Sequence, residues 1–128
     1  MPRVAAAFFA FGVLCVLGGM GWGMHMGAIN DFAMAPVHAH LNLLGWVTMA
    51  LYGTFYTLTA TTLSERLAWS NFILSALGVL LMIPALAMYL QTSDHKYVPA
   101  LIGGEILTFL GMVVFGISVA RELLRRRG

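Results

Sequence analysis

The sequence predicts an all-α, polytopic membrane protein with four transmembrane helices in a single domain of 128 residues. Hydrophobic residues make up 60% of the chain and charged residues only 9%, whereas soluble domains carry about 25% charged residues. The mean hydropathy is +0.87. Apolar stretches at residues 4–26, 37–60, 67–90 and 99–120 each reach the roughly 20 residues that a membrane-spanning helix needs. Little chain is left over, so we expect no soluble domain.

The first two stretches have recognisable beginnings. The first carries one arginine ahead of a long apolar run, and no small-x-small cleavage site ends it, so we expect a retained helix rather than a signal peptide. In the second, Pro36 suits the first helical position, where its missing N–H costs nothing. This start places His38 and His40 about one turn inside the helix.

The last two stretches are bounded by turn and capping residues. The segment TTLSER offers Ser64 or Thr62 as the N-cap of the third helix. The polar segment QTSDHKYV forms the next connection, and Pro99 opens the fourth helix.

The basic residues are distributed unequally between the two sides of the predicted membrane bundle. Lys96 falls at one side of the predicted bundle, and the other basic residues fall at the opposite side: Arg3, Arg66, Arg121, Arg125, Arg126 and Arg127. The positive-inside rule then predicts a multi-pass protein of the bacterial inner membrane with both termini in the cytoplasm. We read the basic tail as an anchor beside membrane lipid, not as a nucleic-acid surface.

Small residues are spaced for close helix contact. Gly19, Gly23 and Gly27 recur at four residues, which lets membrane helices approach each other. Gly45 could serve the same purpose or could admit a flat cofactor. The single cysteine, Cys15, excludes a disulfide within the chain, a multi-thiolate metal site and a C-x-x-C-H motif for covalent haem.

The strongest functional signal is a pair of histidines inside an apolar helix. His38 and His40 are two residues apart, so on an α-helix they project about 200° from each other. Ionisable side chains inside a span usually have a partner or a function. Each ring could therefore ligate a different centre, or each could be a structural histidine satisfied by a backbone carbonyl or an interfacial carboxylate.

Two other polar side chains lie near this pair in the predicted helices. Asn42 shares the face of His38, four residues on. Glu105 lies about six residues into the fourth helix, at a similar depth, and is expected to be buried. It could orient a metal-bound histidine or take up a proton, or it could be a protonated residue that closes a hydrogen bond between helices.

A second metal hypothesis uses the methionines near the end of the first helix. The segment MGWGMHMG contains His25 and the methionines Met20, Met24 and Met26, and Met34 follows it. Thioether and imidazole groups suit copper(I), so these residues together with His38 or His40 could bind it. However, methionine is common throughout the chain, and His38 and His40 cannot both reach one small ion. We therefore prefer haem. His95, beside Asp94 and Lys96, is read as a solvated loop residue.

The segment HAHLNLLGWVTMALYGTFY resembles the histidine-bearing helices of subunit I in the haem-copper oxidase and nitric oxide reductase superfamily. The match covers one helix well and the four-span layout loosely. The family subunit has twelve helices in three arcs of four, and its tenth helix carries two histidines separated by one residue that serve two haems. The resemblance therefore implies that this chain forms one such arc of four helices.

What the resemblance implies for assembly is a homotrimer. Each haem b would lie near the outer membrane surface between His38 of one copy and His40 of the next. The family's copper-ligating histidines and its histidine–tyrosine pair have no counterpart here. We expect the cytoplasmic halves of the helices to offer only threonine and serine, such as Ser75 and Ser118, so we do not expect proton pumping.

The sequence thus leads to three hypotheses. The first is a haem b-binding membrane protein with two axial histidines and a role in electron transfer, its redox partner unspecified; an oxidoreductase activity would need an open iron position. The second is a copper(I)-handling membrane protein. The third is an interaction subunit without a cofactor.

Overall fold

The computed structural model describes residues 1–125, which form helices joined by short turns, with no strand among them. Helix α1 spans Arg3–Ile29. Helix α2, residues 35–58, consists of an α-helical segment Ala35–His40, a π-helical segment Leu41–Val47 and an α-helical segment Thr48–Leu58. Helix α3 spans Glu65–Thr92 and α4 spans Val98–Leu124, with 3-10 turns at Ala60–Thr62 and His95–Tyr97.

The predicted all-α class is confirmed for these residues, and three helices are long and apolar enough to cross a membrane. These are Arg3–Ile29, Glu65–Thr92 and the run His95–Leu124. The second predicted span differs from expectation because the π-helical segment divides it into shorter pieces. Sequence periodicity did not predict this segment, whose backbone carbonyls accept hydrogen bonds from five residues ahead rather than four.

The long helices extend a few residues beyond the apolar stretches. Asn30 follows α1 and Ser93 follows α3, both in the left-handed conformation with φ of 52°. Ser64 is the residue before α3, as predicted, but its side chain makes no capping hydrogen bond. A left-handed residue thus ends α1 and α3.

Glycines set the contact between antiparallel α1 and α2. A Cβ on Gly45 would lie 2.7 Å from Cys15 Cβ, and a Cβ on Gly53 would lie 3.0 Å from Phe9 Cε2. Further along, Gly19 faces Asn42 and Gly23 faces His38. The predicted glycine-mediated packing is confirmed for Gly19 and Gly23, whereas Gly27 has open space around it.

A similar seam joins antiparallel α3 and α4. Gly78 lies against Thr108, Gly111 lies against Ser75, and a Cβ on Gly104 would approach Met82 Cβ at 2.6 Å. The chain therefore runs up and down four times. We call the end that carries the N-terminus and residues 59–64 the terminal end, and the opposite end, which carries residues 30–34 and 93–97, the histidine end.

An aromatic cluster fills the core towards the terminal end. Phe8 of α1 packs on Tyr56 at 5.6 Å between ring centroids and on Phe72 of α3 at 5.2 Å. Tyr52 packs on Phe115 of α4 at 4.6 Å. Each of the four helices contributes a ring, so this cluster fixes their arrangement.

Candidate functional site

His40 has one ring nitrogen in use and one to spare. Its Nδ1 lies 2.6 Å from the carbonyl oxygen of Pro36, one turn earlier in α2. Because a carbonyl only accepts, Nδ1 must be the protonated nitrogen. In the neutral ring the lone pair then sits on Nε2, which makes no hydrogen bond within residues 1–125. This is the tautomer and orientation that metal-bound histidines commonly have.

His40 lines a groove of about 300 Å³ between α2 and α4, which we call the His40 groove. Glu105 of α4 lines the same groove, together with Tyr52, Thr108 and mainly apolar neighbours. His40 and Glu105 form no ion pair within 4.0 Å, so there is room between them. The structure thus brings together two titratable residues that the sequence had singled out.

Glu105 is not buried within the chain as expected, because its side chain is exposed on the outside of the bundle. The reason is the α3–α4 seam, which takes up the face of α4 that carries Gly104 and Gly111. Glu105 follows Gly104 directly and therefore lies about 100° around the helix from that seam. Glu105 therefore lines the His40 groove and not the protein core.

His38 projects to the other side of α2, towards α1 of the same chain. A Cβ on Gly23 would lie 2.8 Å from His38 Cε1, so the ring rests directly on that glycine. Asn42 Nδ2 lies 3.3 Å from His38 Nε2 and, as an amide nitrogen, donates to it. The opposed directions of His38 and His40 match the helical prediction, and Asn42 shares the His38 face as expected.

Two polar atoms at His38 are left without partners. His38 Nδ1 and Asn42 Oδ1 are buried and make no hydrogen bond in the described part of the chain. Buried polar atoms nearly always have a hydrogen-bond partner. Two neighbouring atoms without one therefore mark a place where a ligand or a rearranged side chain would gain hydrogen bonds. His38 is therefore only partly accommodated by its own chain.

Gly45 lies between helices α1 and α2. It is buried against Cys15, so α1 covers the face of Gly45 that could have admitted a flat cofactor. It also belongs to the π-helical segment Leu41–Val47. The hydroxyl of Thr48, the residue after this segment, donates to the Leu43 carbonyl oxygen at 2.9 Å. The segment directly follows the two histidines, and π-helical segments are frequent at functional sites.

His25 lies in a second cavity at the histidine end. This cavity of about 200 Å³ is lined by His25, Met26, Asp31 and Met34, with Trp22, Ile29 and Gln91. Of the thioethers expected from the sequence, Met24 is not among its lining residues, and its side chain is 74% exposed. Met26 and Met34 line the cavity because the left-handed turn after α1 folds residues 30–34 back beside the helix end.

No protein-family model, curated protein or solved structure matches this chain. Function therefore has to be inferred from the side chains themselves. The described residues contain no cluster of three or more histidine, cysteine, aspartate or glutamate side chains that could hold a metal ion. A metal site here would depend on a cofactor that brings its own ligands or on thioether ligands.

Sequence reasoning missed a polar network in the terminal half. Asn71 of α3 donates to Tyr56 Oη at 3.1 Å and accepts from Ser75 Oγ at 3.0 Å. Tyr56 Oη lies 3.2 Å from Ser118 Oγ of α4. The expectation that this half offers only threonine and serine was wrong, since Asn71 and Tyr56 sit among the apolar residues. In the sequence, the signal that could have revealed this network was the presence of polar residues within apolar stretches.

Proposed function

We propose that this protein is a haem b-binding integral membrane protein in which His40 is an axial ligand of the iron. The observation that carries the proposal is the state of His40. Its Nδ1–H is held by the Pro36 carbonyl at 2.6 Å, and its Nε2 is free. The adjoining groove is lined mainly by apolar side chains. A haem bound there would supply one-electron redox chemistry, and the protein would orient it and exclude water.

The residues around His40 suit a flat apolar cofactor. Leu44, Phe109 and Met112 give the His40 groove apolar walls, while Glu105 offers a carboxyl group at its edge. This carboxyl group can accept a hydrogen bond or hold a proton beside the ligand. In the alternative of a purely structural histidine, Nδ1 of His40 keeps its bond to Pro36, and Nε2 of this exposed side chain binds no protein group.

The second axial ligand in this proposal is His38 of a neighbouring copy. His38 of each chain would first have to release the Asn42 amide and its contact with Gly23. Nδ1 of His38 has no hydrogen bond to lose in such a rearrangement. We therefore expect His40 to hold the haem and His38 to govern the sixth coordination position.

The proposed assembly is a homotrimer in the cytoplasmic membrane of a bacterium, with each chain spanning it four times. Residues 35–58 supply the fourth crossing, since 24 helical residues at 1.5 Å each reach about 36 Å. The His40 groove opens on the outside of the chain, so a neighbouring copy would cover it and close the ring of subunits.

The test is an optical spectrum of the full chain, purified in mild detergent after expression with a haem precursor. We expect a Soret peak and, after dithionite reduction, an α band of six-coordinate haem b. His40→Ala should lose most of the haem per chain. His38→Ala should keep haem but convert it to a five-coordinate, high-spin form.

The matched control is His95→Ala, which removes an exposed loop histidine at the same end. It should leave both haem content and spectrum unchanged. A wild-type preparation without a Soret peak would overturn the proposal, and so would full haem content in His40→Ala. Native mass measurement tests the assembly, because a haem-bound monomer rules out the shared site.

A second candidate function, copper(I) handling, is supported by the cavity beside His25. Two thioethers and an imidazole, from Met26, Met34 and His25, line it together. These groups are soft or borderline ligands that suit copper(I). Met26 is 5% exposed, so such a site would be partly shielded from solvent.

Competition with a chromophoric copper(I) chelator tests this candidate. Met26→Leu and Met34→Leu should each weaken binding, whereas Met24→Leu, an exposed methionine outside the cavity, should not. Equal loss in all three variants would mean nonspecific binding. A protein without colour and without copper affinity would leave the third hypothesis, an interaction subunit without a cofactor.

A further inference from the structure

A cavity of about 340 Å³ opens at the terminal end, far from the histidines, and we call it the arginine pocket. Three parts of the chain form it. The segment from Thr59 to Ser64 lies on one side, the last turns of α4 on another, and the ends of α2 and α3 close it. It is therefore independent of the His40 groove and of any haem bound there.

Two cations line the arginine pocket at the end of α4. Arg121 lies in the last turn of α4, and Arg125 is the residue that directly follows the helix, four positions on. Within residues 1–125, the one ion pair closer than 4.0 Å joins Lys96 and Asp94 at the opposite end. Neither guanidinium is thus neutralised by a carboxylate of the described chain.

The single carboxylate in the pocket lining is already engaged. Glu122 Oε2 accepts a hydrogen bond of 2.6 Å from the Thr62 hydroxyl, which ties the segment before α3 to α4. Two arginines and one glutamate leave a net charge of +1 in the lining. The pocket therefore has an electrostatic preference for an anion.

The remaining lining residues combine hydroxyl groups with apolar walls. Ser64 makes no capping hydrogen bond to α3, so its hydroxyl is available to a ligand. Phe55, Leu63 and Leu67 supply apolar surface beside it. The pocket also lies where the long apolar helices end, which is the level of lipid headgroups if these helices cross a membrane.

We propose that the arginine pocket binds the phosphodiester headgroup of an anionic phospholipid. Arg121 and Arg125 would donate to the phosphate oxygens, since guanidinium groups match phosphate geometry with two parallel hydrogen bonds. The Ser64 hydroxyl would donate a further bond. The apolar walls would receive the start of an acyl chain, which a free phosphate does not have.

Native mass spectrometry of the full chain in detergent tests this proposal by titration with phosphatidylglycerol and with phosphatidylcholine of the same acyl chains. We expect one phosphatidylglycerol per chain to bind at least about tenfold more tightly than phosphatidylcholine. Arg121→Gln and Arg125→Gln should each remove most of that preference. Inorganic phosphate, added as a competitor at millimolar concentration, should not displace the lipid.

The matched controls are Arg3→Gln and Arg66→Gln, which remove the same charge at the same end but outside the pocket. They should leave binding within about twofold. Equal losses in all four variants would overturn the proposal in favour of diffuse charge attraction. Displacement by phosphate would identify a free anion as the ligand.

Glu122→Gln gives a test of opposite sign that does not depend on removing an arginine. The amide oxygen can still accept from Thr62, while the negative charge is gone, so phosphatidylglycerol should bind more tightly. Unchanged or weaker binding in this variant would count against the pocket. The haem content should be unaffected in all of these variants, which separates this proposal from the one on His40.

Discussion

At the scale of single residues, Asn71 and His40 show the two ways in which polar groups sit in these apolar helices. Asn71 is 0% exposed, and its amide nitrogen and oxygen each have a partner, Tyr56 and Ser75. His40 has one nitrogen bonded and one free. A fully paired group in an apolar setting specifies packing, whereas a spare lone pair is available for a ligand.

The Asn71 network should contribute measurably to stability. Asn71→Ala would leave Tyr56 Oη without its donor and Ser75 Oγ without its acceptor, and would open a small cavity. Hydrogen bonds between membrane helices are individually modest, so we expect a loss of about 1–2 kcal/mol. The measurement is reversible unfolding in mixed detergent micelles.

Thr54→Ala is the control for that experiment. The Thr54 hydroxyl donates only to the Ala50 carbonyl of its own helix, and its side chain is exposed. This substitution should change the free energy of unfolding little. If both variants lost the same stability, the network would have no special role.

At the scale of elements, the contact between α1 and α2 sets the surroundings of the His38 side of the candidate site. Gly19 and Gly23 let α1 approach Asn42 and His38 closely, and the π-helical segment Leu41–Val47 begins at the next residue after His40. Helix α1 covers His38 and leaves His40 exposed, so the two histidines have unequal surroundings.

A methyl group at this seam should disturb the His38 side of the site. In Gly19→Ala the new Cβ would overlap Asn42 Oδ1, so Asn42 or the helix must shift. We expect a loss of about 1–3 kcal/mol in unfolding free energy, the usual range for overpacking. The measurement is the same detergent unfolding experiment, with the spin state of any bound haem as a second readout.

Gly18→Ala is the neighbouring control, because a Cβ at Gly18 meets nothing within 4 Å. It should be neutral or slightly stabilising, as alanine favours helix more than glycine does. A similar loss in both variants would indicate a general effect on α1 and not a contact with Asn42.

At the scale of the whole molecule, the two ends of the bundle differ in packing and charge. The aromatic cluster around Phe8 joins all four helices towards the terminal end, while cavities beside His25 and His40 lie at the histidine end. The described arginines lie at the terminal end and Lys96 at the other. The aromatic cluster meets both ends, since Tyr52 also lines the His40 groove and Tyr56 also lines the arginine pocket.

This charge asymmetry predicts the orientation in a bacterial membrane. Both termini should lie in the cytoplasm, because basic residues resist translocation. A fluorescent protein fused after the C-terminus should therefore be fluorescent, and alkaline phosphatase fused there should be inactive. A phosphatase fusion at Asp31, in the first turn of the histidine end, should be active. The reverse pattern would show that the protein is inverted.

Much of the architecture could be predicted from sequence because it is local. The four helical stretches follow from runs of apolar residues, and the opposed His38 and His40 rings follow from two residues of helical rotation. Which of the candidate methionines line the cavity with His25 could not be predicted, since it depends on how residues 30–34 fold back. Likewise, the depth of Glu105 along its helix could be counted from the sequence, and this led us to expect burial. The direction of its side chain around the helix could not be predicted in that way.

The sequence by itself determined an all-helical, strongly apolar chain with two imidazoles on opposite sides of one helix. Only the tertiary structure decided that His38 meets α1 and Asn42, that His40 shares a groove with Glu105, and that Asn71 bonds Tyr56. The physical reason is the separation along the chain of the residues that interact. Helical rotation is fixed by backbone hydrogen bonds between near neighbours, whereas the partner of a side chain depends on which faces of distant helices come together.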